Sequence, residues 1–243
     1  MKRLLLLLLS AGFLHQANAQ TSGTVQYSET MKMDIKVDGE NAAIMDMLPK
    51  EQKLACNLYF TQEAALYEYA KKDDVEKEYE DGGNRMRIRM DAPDDKFYYD
   101  VTSQTMTQQR DFMGRKFLVE GKKDGTKWKL TGKQSELLGY PCQEAIMQDS
   151  NMTVTAWFTP AIPVPAGPSS FAGLPGLILK ADVDGRHIIE ATNVDLKAVA
   201  NDKIKKPKEG KKMTSEQFNA MMEEKRKEMG GDGNGNVIIK IRR

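Results

Sequence analysis

Residues 24–37 read TVQYSETMKMDIKV, and this stretch decides the fold class. Every even position carries a polar residue, and every odd position is apolar except Glu29. Side chains of a β-strand point alternately to the two faces of a sheet, so this alternation predicts a strand with one face on a core. The apolar pattern over 25–37 is long for a single strand, and long strands twist. The stretch therefore predicts a curved sheet.

Short runs of the same kind follow along the chain and are separated by turn residues. Asp124-Gly125 and Asp184-Gly185 are two-residue hairpin signals, each lying between two such runs. Closely spaced strands with tight turns favour antiparallel pairing over βαβ units. The predicted fold is mainly β (α+β): a curved antiparallel sheet or half-barrel with a C-terminal helix. By analogy alone, this arrangement resembles that of periplasmic lipoprotein carriers.

The first 19 residues have the pattern of a secretory signal peptide. Lys2 and Arg3 precede the apolar run Leu4–Leu9, and Ala17-Asn18-Ala19 fits a cleavage site. We expect cleavage after Ala19 and export, with the periplasm as the first expected destination and outer-membrane association or secretion as the alternatives. No later segment is typical of a membrane-spanning helix.

The mature chain divides into two predicted parts. Residues 20–202 form the antiparallel β domain. Residues 203–243 comprise a lysine-rich linker, an amphipathic helix and a short final strand, packed on the same domain. Thr214 and Gln217 have the spacing of a capping box, so the helix should begin at Thr214. Its apolar face is marked by Phe218, Met221, Met222 and Met229.

The charge balance excludes some classes of protein. The 243 residues include 36 Lys plus Arg and 35 Asp plus Glu, which argues against a nucleic-acid binder. Removing residues 1–19 leaves 34 basic and 35 acidic residues, with His187 as the sole histidine. Zinc sites built on several histidines are then impossible, and a Ser-His or Cys-His nucleophile would have to use His187. We expect no enzyme, no resident metal and no cofactor, and we interpret His187 as a surface residue that faces Asp182 across a tight hairpin.

The cysteines and methionines each leave alternatives open. Cys56 and Cys142 could form a disulfide after export, or remain as buried free thiols. The pairs Met31/Met33, Met45/Met47 and Met221/Met222 could bind copper(I) through their thioethers, but they also suit a core or a cavity lining.

The 30 residues 150–179 contain no charge and are interrupted by five prolines. The prolines exclude a helix, and Leu174-Pro175-Gly176-Leu177 fits a type II turn. Two alternatives stay open: the loop is buried against the sheet, or it forms a partly exposed apolar lip that binds a ligand or partner. The candidate binding residues are Trp157, Phe158, Ile162, Pro163, Pro168, Phe171, Leu174, Pro175 and Leu177.

The same window carries a family resemblance. Gly167-Pro168, Phe171 and Gly173–Ile178 (GLPGLI) resemble the signature of the GLPGLI family of exported Gram-negative bacterial proteins. Further similar positions are Trp128-Lys129-Leu130, Gly139-Tyr140, Cys142, Ala145, Ala156–Thr159 and Ile162-Pro163. The resemblance implies export but little about activity, because the family is generally described as uncharacterised.

These observations predict a non-catalytic, exported β module. Its first predicted function is binding an apolar ligand, such as an acyl chain or a peptide. The alternative is a protein–protein adaptor at the cell envelope that docks through residues 150–179. Copper(I) binding by methionines is the third hypothesis.

Overall fold

A computed structural model describes residues 22–32, 35–36, 50–70, 75–81, 84–90, 92–123, 127–148, 152–200, 202–228 and 237–238. The predicted signal peptide, residues 1–19, lies outside these ranges. Within them the chain forms the following elements: β1 (Gly23–Lys32), β2 (Ile35–Lys36), β3 (Glu51–Phe60), β4 (Ala64–Tyr69), β5 (Val75–Asp81), β6 (Asn84–Met90), β7 (Lys96–Asp100), β8 (Thr105–Phe112), β9 (Arg115–Lys122), β10 (Lys129–Leu137), β11 (Tyr140–Gln148), β12 (Thr153–Thr159), β13 (Leu177–Val183), β14 (His187–Asp195), β15 (Lys211–Thr214), α1 (Ser215–Glu228) and β16 (Val237–Ile238).

Twelve strands form one open sheet in the order β10-β11-β12-β13-β14-β1-β3-β4-β7-β8-β9-β15. Neighbours pair antiparallel except β15, which runs parallel to β9. The predicted curved, mainly β fold with a C-terminal helix is thus confirmed, with one parallel pair in the large sheet. Among the described elements, none is a helix long and apolar enough to cross a membrane.

The sheet curves so strongly that distant strands face each other. Cys142 of β11 and Met106 of β8 belong to one buried cluster, although seven strands separate β11 from β8 in the sheet. A groove of about 650 Å³ is likewise lined by Lys122 of β9 and Met147 of β11. Curvature therefore lets one sheet enclose its own core.

One of the two predicted hairpins is confirmed and the other is wrong. Asp184 and Gly185 both have positive φ in the connection between β13 and β14, but Val183 lies opposite His187, so the loop has three residues, 184–186, instead of the predicted two. Asp124 and Gly125 lie outside the described residues, but the strands on either side of them, β9 and β10, are not paired and lie near opposite edges of the sheet. The outer edge of β9 is occupied by β15, so the local turn signal does not decide the pairing.

The helix α1 begins as its capping box predicts. The Thr214 N–H donates to Oε1 of Gln217 at 3.0 Å, and the Gln217 N–H donates to Oγ1 of Thr214 at 3.3 Å. Phe218 then packs edge-on against Phe117 of β9, with ring centroids 5.9 Å apart. The described part of the predicted apolar face therefore packs on the sheet, with Met221 and Met222 beside this aromatic pair; Met229 lies outside the described residues.

Two short sheets lie apart from the large one. The β5–β6 register places Glu76, Glu78 and Glu80 opposite Arg89, Arg87 and Arg85. The final strand predicted over 237–241 is described at Val237–Ile238, where it pairs in parallel with β2.

The turn at Leu174–Leu177 differs from the predicted type II turn. A type II turn would direct the Leu177 N–H to the Leu174 carbonyl. Instead, the Gly176 N–H donates to that carbonyl at 2.8 Å, and the Leu177 N–H donates to the Ile162 carbonyl at 3.0 Å. Pro175 is therefore the centre of a tighter, three-residue turn. Because the Leu177 N–H is bonded to Ile162, it is not available for the hydrogen bond that would close a type II turn.

Gly176 is required by a close approach of two backbones. A Cβ atom added there would lie 2.2 Å from the Thr159 carbonyl oxygen. We expect Gly176→Ala to lower the free energy of unfolding by about 3 kcal/mol because the backbone has to move. Chemical denaturation of the purified mature protein measures this change.

Gly173→Ala is the matched control. Gly173 has φ +90°, with nothing within 4 Å of an added Cβ, so only backbone strain of about 1 kcal/mol is expected. Equal losses in the two variants would contradict the close-approach explanation.

Candidate functional site

The uncharged loop lies on the core of the sheet. Residues 160–176 connect β12 to β13, and Ile162, Val164, Ala166 and Ala172 belong to the main buried cluster together with residues of β1 and β3. Leu174 packs in a second cluster, which also contains Phe158. The inner side of the loop is thus part of the hydrophobic core.

The nine candidate binding residues are divided between this core and the surface. Five are buried, two are half-buried and two are exposed. The buried ones are Phe158, Ile162, Pro168, Leu174 and Leu177; Trp157 and Phe171 are half-buried; Pro163 and Pro175 are exposed. The structure therefore places mainly prolines and small residues on the outer side of the loop, where Pro160, Ala161 and Gly173 are also exposed.

Hydrogen bonds hold the loop in one conformation. The Ile178 N–H donates to the Ala166 carbonyl at 3.0 Å, and the Gly173 N–H donates to the Pro165 carbonyl at 3.0 Å. The Trp128 indole N–H donates to the Ala172 carbonyl, also at 3.0 Å. Because these backbone groups are paired within the protein, the loop presents a pre-ordered outer surface.

A second constellation surrounds Glu29, the residue that interrupts the alternation of the first strand. Glu29 is 1% exposed. Its Oε1 accepts from His187 Nε2 at 2.8 Å and from the Tyr69 hydroxyl at 3.0 Å. Its Oε2 accepts from the Tyr67 hydroxyl at 2.7 Å and from the Cys56 thiol at 3.5 Å. A buried carboxylate therefore has four donors, and we call these five residues the Glu29 network.

Four adjacent strands supply the Glu29 network. Glu29 lies on β1, His187 on β14, Cys56 on β3, and both tyrosines on β4, and these strands are consecutive neighbours in the sheet. Side chains on one face recur at every second residue, so the observed register brings all five together. The sequence signals for this site were the interrupted alternation at Glu29 and the single histidine of the mature chain. Neither signal revealed that the two residues meet.

Burial and hydrogen bonding set the protonation states. Burial raises the pKa of Glu29, but the hydrogen bonds from His187 and Tyr67 and the nearby imidazole outweigh it, so the pKa lies below its ordinary value. Burial raises the pKa values of Tyr67, Tyr69 and Cys56, so these groups remain protonated donors. Since a carboxylate only accepts, His187 Nε2 carries a proton.

This arrangement is a stabilising network rather than a nucleophilic site. Cys56 is a buried thiol with a raised pKa, whereas a reactive cysteine requires a lowered one. Both oxygens of Glu29 are already occupied by donors. No group of three or more His, Cys, Asp or Glu side chains suited to a metal ion occurs within the part of the chain that the structure describes.

The interpretation of His187 as a partner of Asp182 is wrong. Asp182 lies opposite Ile188, and its carboxylate accepts from the Gly185 N–H at 2.7 Å. His187 points to the other side, where its side chain is 32% exposed and contacts Glu29. Because Val183 lies opposite His187, these two residues share a face of the sheet, and Asp182, next to Val183, lies on the other face.

The two cysteines are buried free thiols in the structure. Cys142 Sγ donates to the Tyr140 carbonyl at 3.4 Å, and Cys56 Sγ is directed to Glu29. Each thiol thus has its own acceptor, so the disulfide alternative is not the one seen.

Among the methionines considered for copper, those that the structure describes pack against two different apolar clusters. Met31 packs against the main core, and Met221 and Met222 pack beside Phe117 and Phe218. Met33, Met45 and Met47 lie outside the described residues.

Comparisons with known proteins support the fold and little else. Residues 98–180 match the family described as "Protein of unknown function (Porph_ging)". No curated protein sequence matches this chain significantly.

Two solved structures share the fold. One, reported as "Structure of PNGF-II in C2 space group", superposes with a TM-score of 0.55 at 16% sequence identity, over 85% of this chain and 33% of that chain. A second, in the P21 space group, gives a TM-score of 0.54 at 16% identity, over 85% and 34% of the two chains. This chain therefore spans about a third of the length of PNGF-II, and the likeness concerns the fold alone.

Glu29→Gln should destabilise the protein. The variant keeps the size of the side chain but replaces charge-assisted hydrogen bonds with weaker ones, so we expect the free energy of unfolding to fall by about 2 kcal/mol. Urea denaturation at neutral pH provides the measurement.

Glu190→Gln is the control, because it removes the same charge from neighbouring β14. Glu190 is 44% exposed and pairs with Lys180, so a loss below about 1 kcal/mol is expected. An effect of Glu29→Gln no larger than that of Glu190→Gln would refute a stabilising role for the network.

Stability should also depend on pH through Glu29. Its folded-state pKa lies below the ordinary value of 4.5, so its contribution is present above pH 4.5 and is lost as pH falls through the lower, folded-state pKa. We expect the stability difference between the native protein and Glu29→Gln to shrink on acidification below about pH 4.5. Denaturation curves over a series of acidic buffers measure it, and a pH-independent difference would contradict the assignment.

Proposed function

We propose that this protein is an exported, non-catalytic β module that works as an adaptor, binding a partner protein through the outer side of the uncharged loop. The main support for this proposal is an uncharged, exposed surface on a loop that hydrogen bonds hold in place. Its exposed residues are Pro160, Ala161, Pro163, Gly173 and Pro175. Charged residues are depleted at the centres of protein interfaces. A loop already held by hydrogen bonds also loses little conformational freedom on binding.

The apolar-ligand hypothesis receives less support from the geometry. Side chains of the loop itself, such as Ile162 and Val164, fill space on the core face of the sheet. The two large described grooves are lined mainly by charged and polar residues. An acyl chain would need an apolar cavity instead.

Two further parts of the proposal rest on sequence. Export rests on the signal-peptide pattern of residues 1–19 and implies a mature chain that begins at Gln20. Membership of the GLPGLI family rests on the motif Gly173–Ile178, which lies inside the matched region 98–180. Within the Glu29 network, the raised pKa of buried Cys56 and the occupied oxygens of Glu29 argue against a nucleophilic role for this cluster.

Site-specific crosslinking tests the adaptor function. A photoreactive amino acid at Ala161 should capture one defined envelope protein in the natural host cells. Met113, which is 69% exposed in the turn between β8 and β9, is the matched probe position and should not capture that protein. Pro163→Glu combined with Pro175→Glu should abolish the Ala161 crosslink, because each places a charge on the docking surface.

Met113→Glu combined with Met152→Glu adds the same charge at other exposed positions and should leave the crosslink intact. Equal capture from Ala161 and Met113 would refute the docking surface. Native mass spectrometry of the protein purified from the same cells distinguishes the adaptor from a carrier of an apolar ligand. A co-purifying lipid would favour the carrier over the adaptor, and the protein mass itself shows whether the chain begins at Gln20.

A further inference from the structure

The face of the sheet opposite the core carries a large charged groove. Leu66, Lys96 and Lys116 alternate with core residues along their strands, so they lie on this opposite face. Residues 202–210, which we call the strap, cross the same face. Strap and strands together enclose a groove of about 820 Å³. This volume lies within the range of about 300–1,000 Å³ that ligand sites have.

The strap is held in place despite its many lysines. Pro207 is buried, and a Cβ on Gly210 would lie 2.7 Å from the backbone of Phe117, so the strap runs tightly against β9. Lys206 Nζ lies 2.8 Å from Glu120 Oε1, and Glu209 Oε2 lies 3.0 Å from Lys116 Nζ. These contacts fix the positions of the strap lysines on the sheet.

The groove keeps an excess of positive charge. Six lysines and four carboxylates line it. Lys116 lies within ion-pair distance of both Asp94 and Glu209, so two carboxylates are directed to one lysine. Lys205 and Lys208 are exposed and have no ion-pair partner among the described residues. Lys203 Nζ lies over the Tyr59 ring, 5.2 Å from its centroid. Three strap lysines are thus available to an anion.

The mixture of charges indicates which anion fits. Glu68 and Asp202 also line the groove and would repel a uniform polyanion. A flat anionic membrane would not enter a groove between strap and sheet. An extended peptide whose carboxylates are spaced by neutral residues satisfies both constraints. We infer that the groove beneath the strap binds an acidic peptide segment of a partner protein through Lys203, Lys205 and Lys208.

This surface is separate from the uncharged loop and goes beyond the function proposed above. The probe is a fluorescent peptide in which Glu alternates with Ser, titrated into the full-length mature protein and followed by fluorescence anisotropy. We expect saturable binding that weakens as salt is added. Lys205→Gln combined with Lys208→Gln should raise the Kd for the peptide at least about fivefold, because it removes two of the three proposed anion contacts. Neither lysine forms the ion pairs that attach the strap, so the strap should stay in place.

Lys50→Gln combined with Lys129→Gln changes two exposed lysines elsewhere and should leave Kd within about twofold of the native value. Unchanged Tm values would show that both double variants remain folded. Absence of peptide binding, equal weakening in the two variants, or tighter binding of polyphosphate than of the peptide would each overturn the inference. The Pro163→Glu, Pro175→Glu variant should bind the peptide as the native protein does, so failure of either proposal is seen independently.

Discussion

The structure depends on one constraint: the apolar core face of a single open sheet has to be covered by other parts of the chain. That face has to be shielded by irregular chain, and burying an unpaired charge there would cost several kcal/mol. The uncharged loop meets this requirement: Ile162 and Val164 fill the core, and the backbone of Leu177 and Ile178 bonds back to Ile162 and Ala166. The lack of charge is therefore a requirement of folding on the inner side of the loop. Only its outer side is left for recognition.

Glu29 imposes a second constraint on the same face. A one-residue slip of any contributing strand would turn its donor to the other side of the sheet and leave a buried carboxylate partly unsatisfied. The four donors from β3, β4 and β14 thus tie the central register together around β1. A network of this kind favours one register of the strands over registers shifted by one residue. A buried polar group can thus make the fold more specific, although it replaces apolar area in the core.

The two faces of the sheet are covered in chemically different ways. The loop joins the core through apolar side chains, whereas the strap is attached to the opposite face by Pro207 and by ion pairs with Glu120 and Lys116. The loop leaves an uncharged outer side, and the strap leaves a cationic groove between itself and the sheet. Both proposed recognition surfaces are therefore by-products of covering a sheet that has no second layer, and their contrasting chemistry suits different partner segments.

Local features followed from the sequence alone. The alternation over 24–32, the capping box of Thr214 and Gln217, and the Asp184-Gly185 turn are each determined by neighbouring residues, because side-chain direction and backbone φ act over a few positions. The pairing of distant segments was decided only by tertiary structure. The strands that flank Asp124-Gly125 do not pair with each other, since β15 takes the edge of β9, and Glu29 meets His187 across 158 residues of chain. Such contacts depend on which strands become neighbours, and that choice is made by burial of the whole core face rather than by any single stretch.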